Sequence, residues 1–119
     1  MNVAILGASN DPERYSYKAV VRLKEAGHNV LPVHPKLTSI EGIPVFASLS
    51  KISVPVDTLT LYVSPEISSK LASEIFSVQP KRIIFNPGAE NREFVAKAEA
   101  QGIEVQEACT LVMLGTGQY

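Results

Sequence analysis

The chain has 119 residues, 45% of them hydrophobic and 19% charged, enough for one domain with a real core. Its net charge of −1 and pI near 6.1 give no basic footprint, so no DNA or RNA partner is expected. No apolar run approaches the roughly 18 residues of a membrane span, the single Cys109 excludes an internal disulfide or a Cys-rich zinc site, and His28 and His34 do not make a metal site.

Met1 leads directly into the first apolar run with no signal-peptide pattern, so a cytoplasmic protein with no membrane contact is expected. That run, Asn2–Gly7, predicts a strand; Val3, Ala4, Ile5 and Leu6 are apolar without a gap, as suits a parallel strand covered on both faces. A helix is predicted over about Tyr15–Ala26, with Ala19, Val20, Leu23 and Ala26 on one stripe. Gly27 stands where a helix end needs a left-handed residue. Asn29–Val33 predicts the second strand, with Pro32 placed near its fraying end because proline donates nothing to a ladder. Pro44–Phe46 predicts a short third strand and Ser48–Ile52 one helical turn.

The second half repeats this logic. Thr58–Val63 predicts a strand, and Ser64-Pro65-Glu66 starts a helix with an N-cap, a proline and an early acid. Its buried stripe is expected to be Ile67, Leu71, Ile75 and Phe76. Arg82–Phe85 predicts the next strand and Asn86-Pro87-Gly88 the turn after it. A helix over about Glu90–Gln101 follows, with Gly102 as the stop, then a strand at Ile103–Gln106. The apolar tail Leu111–Leu114 must pack on the domain or on a partner.

Strands alternating with helices imply a single α/β domain over 1–119, a Rossmann-like open parallel sheet with helices on both faces. The expected strand order is 3-2-1-4-5 with a further edge strand. Ligands of such sheets lie beyond the carboxyl ends of the strands at the switch point. The loops expected there are Gly7–Ser16, His34–Lys36, Ser64–Pro65 and Asn86–Gly88.

The first loop has Gly7 but lacks the second and third glycines of the dinucleotide motif; Ser9 and Pro12 stand there instead. Gly7 still permits a tight turn, Ser9 and Asn10 offer donors at a helix N-terminus, and Arg14 adds a charged fork. A β-branched residue at Gly7 is expected to block a phosphate more than it disturbs the fold. Chains that hold NAD usually place an acid after the second strand, on the ribose hydroxyls. Here His34, Pro35 and Lys36 follow it, and a cation suits a phosphate on the ribose. No acid–base pair stands out, so no catalytic residue is assigned. Glu90 reads as a helix-dipole partner and Cys109 as a small buried hydrophobe rather than a nucleophile.

Gly7-Ala8-Ser9, Pro12-Glu13-Arg14 and Ser16-Tyr17, followed by Pro32-Val33-His34-Pro35-Lys36, resemble the small stand-alone CoA-binding domain proteins. That family reads P-x-R-x-S in the first loop and P-V-N-P-K after the second strand; His34 departs from it by replacing Asn. The chain is also similar to the N-terminal domain of the succinyl-CoA ligase alpha subunit, through Gly7-Ala8-Ser9, Pro35-Lys36 and Val63-Ser64-Pro65. The ligase carries its phosphorylated histidine on a second domain, so ligase activity is not implied. The resemblance implies CoA or an acyl-CoA as ligand. Gly7, Ala8, Ser9 and Asn10 with Arg14 would hold the pyrophosphate and Lys36 would meet a phosphate, with Ser16, His34 and Pro35 in the same cofactor-binding set. Tyr62, Val63, Ser64 and Pro65 would flank the adenine, and Asn86, Pro87 and Gly88 would line the cleft. The alternative is a small NADP-linked oxidoreductase or an acyl-CoA enzyme. A protein partner or a second copy of the chain is left open.

Overall fold

A computed structural model describes residues 1–119. In chain order the elements are β1 (Asn2–Leu6), α1 (Tyr15–Glu25), β2 (Asn29–Val33), β3 (Ser39–Ile40), β4 (Ile43–Pro44), a 3-10 turn (Leu49–Lys51) and β5 (Thr58–Leu61). There follow α2 (Pro65–Lys70), α3 (Ala72–Val78), β6 (Arg82–Phe85), α4 (Arg92–Ala100), β7 (Glu104–Glu107) and α5 (Thr110–Gly115). Five strands form one parallel sheet in the order β2-β1-β5-β6-β7. The architecture is α/β and Rossmann-like. No helix is long and apolar enough to cross a membrane.

Alternate side chains of each strand serve opposite faces. Ala4 and Leu6 of β1, Leu59 and Leu61 of β5, and Ile83 and Phe85 of β6 pack with Ile75 of α3 and Phe94 and Ala98 of α4. Val3 and Ile5 pack on the other side with Ala19, Val20 and Leu23 of α1. This two-sided burial is why β1 reads as an unbroken apolar run.

Pro32 sits in mid-ladder, opposite Ile5, not at a fraying end. It is tolerated because its position faces away from β1: the Pro32 carbonyl accepts from Phe46 N–H at 2.9 Å, on the outer side of β2. The missing N–H therefore removes no bond to β1.

The expected third strand is reduced. Phe46 makes one parallel bridge to Val33, while Ile43–Pro44 pairs antiparallel with Ser39–Ile40 in a separate two-stranded ribbon. The tight turn at Glu41 and Gly42, both with positive φ, folds this segment on itself before it can extend along β2.

The helix expected from Ser64 is divided at Leu71 into α2 and α3. The Ser68 hydroxyl donates to the Pro65 carbonyl at 3.1 Å, a local bond of the kind that bends helices. Ser68 is buried in consequence, and Ile67, expected in the core, is exposed. The apolar tail forms α5, which packs on the domain beside α1.

Asn86 ties these parts together. Its buried amide donates to Thr60 Oγ1 at 2.6 Å and to the Leu61 carbonyl at 2.9 Å, and its Oδ1 accepts from Thr110 N–H at 2.9 Å. Thr110 Oγ1 lies 2.8 Å from Thr60 Oγ1. Truncation would leave buried groups on β5 and α5 without partners. Asn86→Ala is expected to lower stability by about 2–3 kcal/mol, read as a lower urea midpoint at unchanged slope.

Candidate functional site

Because β1 pairs with β2 on one side and β5 on the other, the chain leaves its tip toward opposite faces, and a gap opens there. A cavity of about 300 Å³ occupies this gap. Leu6 and Gly7 from β1, Val33 and Pro35 from the end of β2, and Val63 beyond β5 form one part of its wall. Ala47, Ser48 and Leu49 before and within the 3-10 turn, and Ile67, Leu71 and Glu74 from the α2–α3 segment, form the rest. A larger hollow of about 490 Å³ lies at the opposite edge, along the segment Ile52–Val56 and the end of α3. It collects no phosphate-type loop, and Lys81 is its one charged side chain.

Gly7 has φ +88°, a left-handed value that disfavours any side chain. A Cβ on it would lie 2.9 Å from Val63 Cγ1 and 3.2 Å from the Tyr62 carbonyl carbon. The turn after β1 is therefore pressed against the turn after β5. This corrects the expectation that Gly7→Val would act mainly on ligand: the side chain would strike the protein first.

The loop beyond Gly7 is shaped by its own side chains. Ser9 Oγ accepts from Asp11 N–H and Asp11 Oδ1 from Glu13 N–H, each at 3.0 Å. Asn10 is exposed, and Ala8 is buried in the α1 cluster. Arg14 is the N-cap of α1 but caps it with no side-chain bond; its guanidinium reaches Asp11 at 3.9 Å from an exposed position, a weak contact. Ser16 is buried in the first turn of α1.

His34 has a definite structural task. Its Nδ1 accepts the backbone N–H of Lys36 at 3.0 Å and of Leu37 at 3.1 Å, so that nitrogen carries no proton. A short acceptor side chain such as Asn holds a turn in the same way, which accounts for His in this place. Lys36 is exposed on the loop so formed, next to Pro35 in the cavity wall.

The remaining candidates divide. Val63 lines the cavity, whereas Tyr62, one residue earlier in the chain, packs on the α1 side. Ser64 accepts from Ile67 N–H at 3.3 Å as the cap of α2, and both Ser64 and Pro65 are exposed. Asn86 is buried with its side chain fully engaged, so it does not line the cavity; Pro87 and Gly88 are exposed beside it. Glu90 accepts from Gly88 N–H at 2.7 Å, and the cap of α4 is Asn91. Cys109 is half-buried rather than buried.

Sequence reasoning missed Ile67 and Leu71 as cavity residues, because their helical spacing reads as core. It read the segment ending at Asn91 as a turn and N-cap, which Asn91 is, but missed that the Asn91 amide also donates to Pro65 O, Ser68 Oγ and Ser69 Oγ and so fastens α4 to α2. The Asn91–Arg92–Glu93–Phe94 start carried the cap signal.

A model of the CoA binding domain family matches residues 1–115. The chain belongs to the CoA-binding domain family. A Bacillus subtilis relative, the uncharacterized protein YneT, is 24% identical over 100 residues, 84% of this chain and 74% of that protein. The acetate–CoA ligase (ADP-forming) II subunit alpha of Pyrococcus furiosus is 35% identical over 65 residues, 54% of this chain and 14% of that subunit. A solved structure of an uncharacterized protein superposes with a TM-score of 0.89 at 38% identity, over 99% of this chain and 97% of the other. This CoA-binding domain thus recurs both as a small protein and as a portion of a ligase subunit.

Two measurements follow from the geometry. Gly7→Ala is expected to lower stability without ligand by at least about 1–2 kcal/mol, the cost of a left-handed alanine, as a denaturant titration will show. Tyr62 Oη is buried without a hydrogen-bond partner. Burial pushes its pKa up to about 12, offset in part by the nearby Thr110 hydroxyl. In the folded state the phenol stays protonated where the unfolded chain, near the ordinary value of about 10, releases its proton. Stability is therefore complete below pH 10 and falls as pH rises toward 12. Tyr62→Phe is expected to flatten this alkaline loss with no destabilisation at pH 7, as melting curves across pH will report. Tyr119, also raised by burial, retains its share of the loss.

Proposed function

We propose that this chain binds CoA or an acyl-CoA at the carboxyl edge of its sheet and performs no chemistry of its own. The observation that carries this reading is Lys36, exposed on a loop that His34 holds in place beside the cavity. The place after β2 that usually bears an acid in NAD-binding chains here bears a cation. A ribose phosphate such as the 3′-phosphate of CoA pairs with that charge; a bare ribose diol does not.

In this arrangement the backbone N–H groups of Ser9 and Asn10 and the uncapped start of α1 attract the pyrophosphate, while Ala8 N–H stays bonded to the Val33 carbonyl. Arg14 moves from its weak contact with Asp11 to add a second cation. Val63 packs against the adenine, and the pantetheine arm leads out past the exposed Pro87 and Gly88. The family and its ligase relative support CoA as ligand. Such a module would present CoA to a partner or report its concentration.

Ligand at 100 times its Kd adds about 2.7 kcal/mol of stability, so CoA should raise the melting temperature and NAD should not. Lys36→Ala is expected to weaken CoA by about tenfold to a hundredfold, the worth of a charge-assisted contact. Dephospho-CoA, which lacks the 3′-phosphate, should be weakened much less, and the coupling isolates the contact. Equal weakening of both ligands would assign Lys36 to the pyrophosphate. Tighter binding of NADP than of CoA would overturn the reading in favour of a reductase.

A further inference from the structure

The loop that carries Lys36 is fastened at both ends by backbone bonds. His34 N–H donates to the Phe46 carbonyl and Val45 N–H to the Thr38 carbonyl, each at 3.0 Å. Between these anchors the backbone N–H groups of Lys36 and Leu37 are left, since Pro35 has none. Both end on one atom, Nδ1 of His34, at 3.0 and 3.1 Å. With Nδ1 as acceptor, the proton of the neutral ring sits on Nε2.

Imidazole is the one side chain whose ordinary charge change falls between pH 5 and 8. The proton it gains there goes to Nδ1, against two donors. Both bonds are then lost. Turning the ring cannot restore them, because both nitrogens of an imidazolium are donors. Nor does protonation add a donor on the other side of the ring, since Nε2 already carries its hydrogen. It offers a ligand only charge, which solvent screens at a half-buried ring. An Asn in this place would accept the same bonds and keep them at every pH.

We propose that His34 makes ligand binding at the carboxyl edge depend on pH: its neutral ring holds the Lys36 loop ready for a phosphate, and protonation releases the loop and weakens binding. The proposal rests on the CoA reading above and adds regulation of that same site. Release is local, because the two anchoring bonds and the packing of Leu37 on the α1 cluster do not depend on the ring. The charged groups on the surrounding elements are engaged elsewhere or face water. Lys36 on the loop itself and Lys51 on the 3-10 turn are exposed. Glu74 of α3 accepts Ser50 N–H at 3.2 Å, and Glu41 between β3 and β4 accepts the Tyr17 hydroxyl. Asp11 and Arg14 before α1 lean on each other, with Glu13 exposed beside them. None of these forms an ion pair with His34. The other imidazole, His28, lies at the opposite end of β2 beside the Met1 amino group.

The test measures CoA affinity by calorimetry on the full chain at about pH 8 and about pH 5.5, for the wild type and for His34→Asn. The phosphates of CoA, His28 and the carboxylates titrate in both proteins, so the difference between the two pH responses belongs to His34. The wild type is expected to lose about fivefold or more in affinity beyond any loss in His34→Asn; one linked proton sets a ceiling of about tenfold per pH unit. His34→Ala, with no acceptor at any pH, should bind more weakly than the wild type at pH 8 and lack the extra response. In the ligand-free wild type, the amide NMR signals of Lys36 and Leu37 should move together with the titration of the ring, while thermal unfolding stays cooperative. Equal pH responses in the wild type and His34→Asn would overturn the proposal, as would amide signals that stay still. A wild-type affinity that rises on acidification relative to His34→Asn would overturn it too, by making the imidazolium a direct phosphate contact. If the wild type bound no CoA at pH 8, the CoA reading would fall and the proposal with it, whereas the other failures leave that reading intact.

Discussion

Everything at the carboxyl edge of the sheet depends on β1 being hydrogen-bonded in parallel to β2 on one side and to β5 on the other. The chain leaving β1 turns to one face through α1, while the chain leaving β5 turns to the other through α2. Two neighbouring tips that part company in this way cannot cover the space between them. The cavity is thus a product of connectivity, and Gly7 is the condition for it. With φ +88° and no side chain, it lets the two turns approach until Val63 sets the limit.

The second constraint is a small polar interior. Thr60, Asn86 and Thr110 form a buried group in which every atom of the Asn86 side chain that can bond does so. It joins the ends of β5 and β6 to the start of α5, and so holds the apolar tail on the sheet. Buried polar groups of this kind cost little when fully paired and much when one member is lost. Tyr62, whose hydroxyl lies in the same region without a partner, shows the other half of that rule in its raised pKa.

The loops of the carboxyl edge are organised by short bonds from side chain to backbone. Ser9, Asp11, His34 and Ser64 each accept an N–H two or three residues further on, and Glu90 accepts one from two residues earlier. Turns fixed in this local way lose less freedom when a ligand arrives, which favours affinity. Lys36, the cation proposed to meet a phosphate, stands on one of them.

Much of this protein was legible in the residues themselves. Strands and helices alternate with the right periods, Gly27 and Gly102 fall just past helix ends, and Ser64-Pro65 opens a helix, because each of these depends on neighbours a few positions away. The unusual cation after β2 was legible for the same reason, as a residue type in a known place on the ladder. The third strand, the outward Ile67, the inward Ser68 and the buried Asn86 were not. Asn86 reads as a turn residue until Thr60 and Thr110, 26 and 24 positions away, are brought to it. Ile67 fits a core stripe until the bond from Ser68 to Pro65 and the grip of Asn91 rotate α2. Local periodicity determined which elements exist. Contacts between residues distant in the chain decided which side chains those elements bury and which they leave facing the cavity, since only packing can choose between two faces that a helix or strand offers equally.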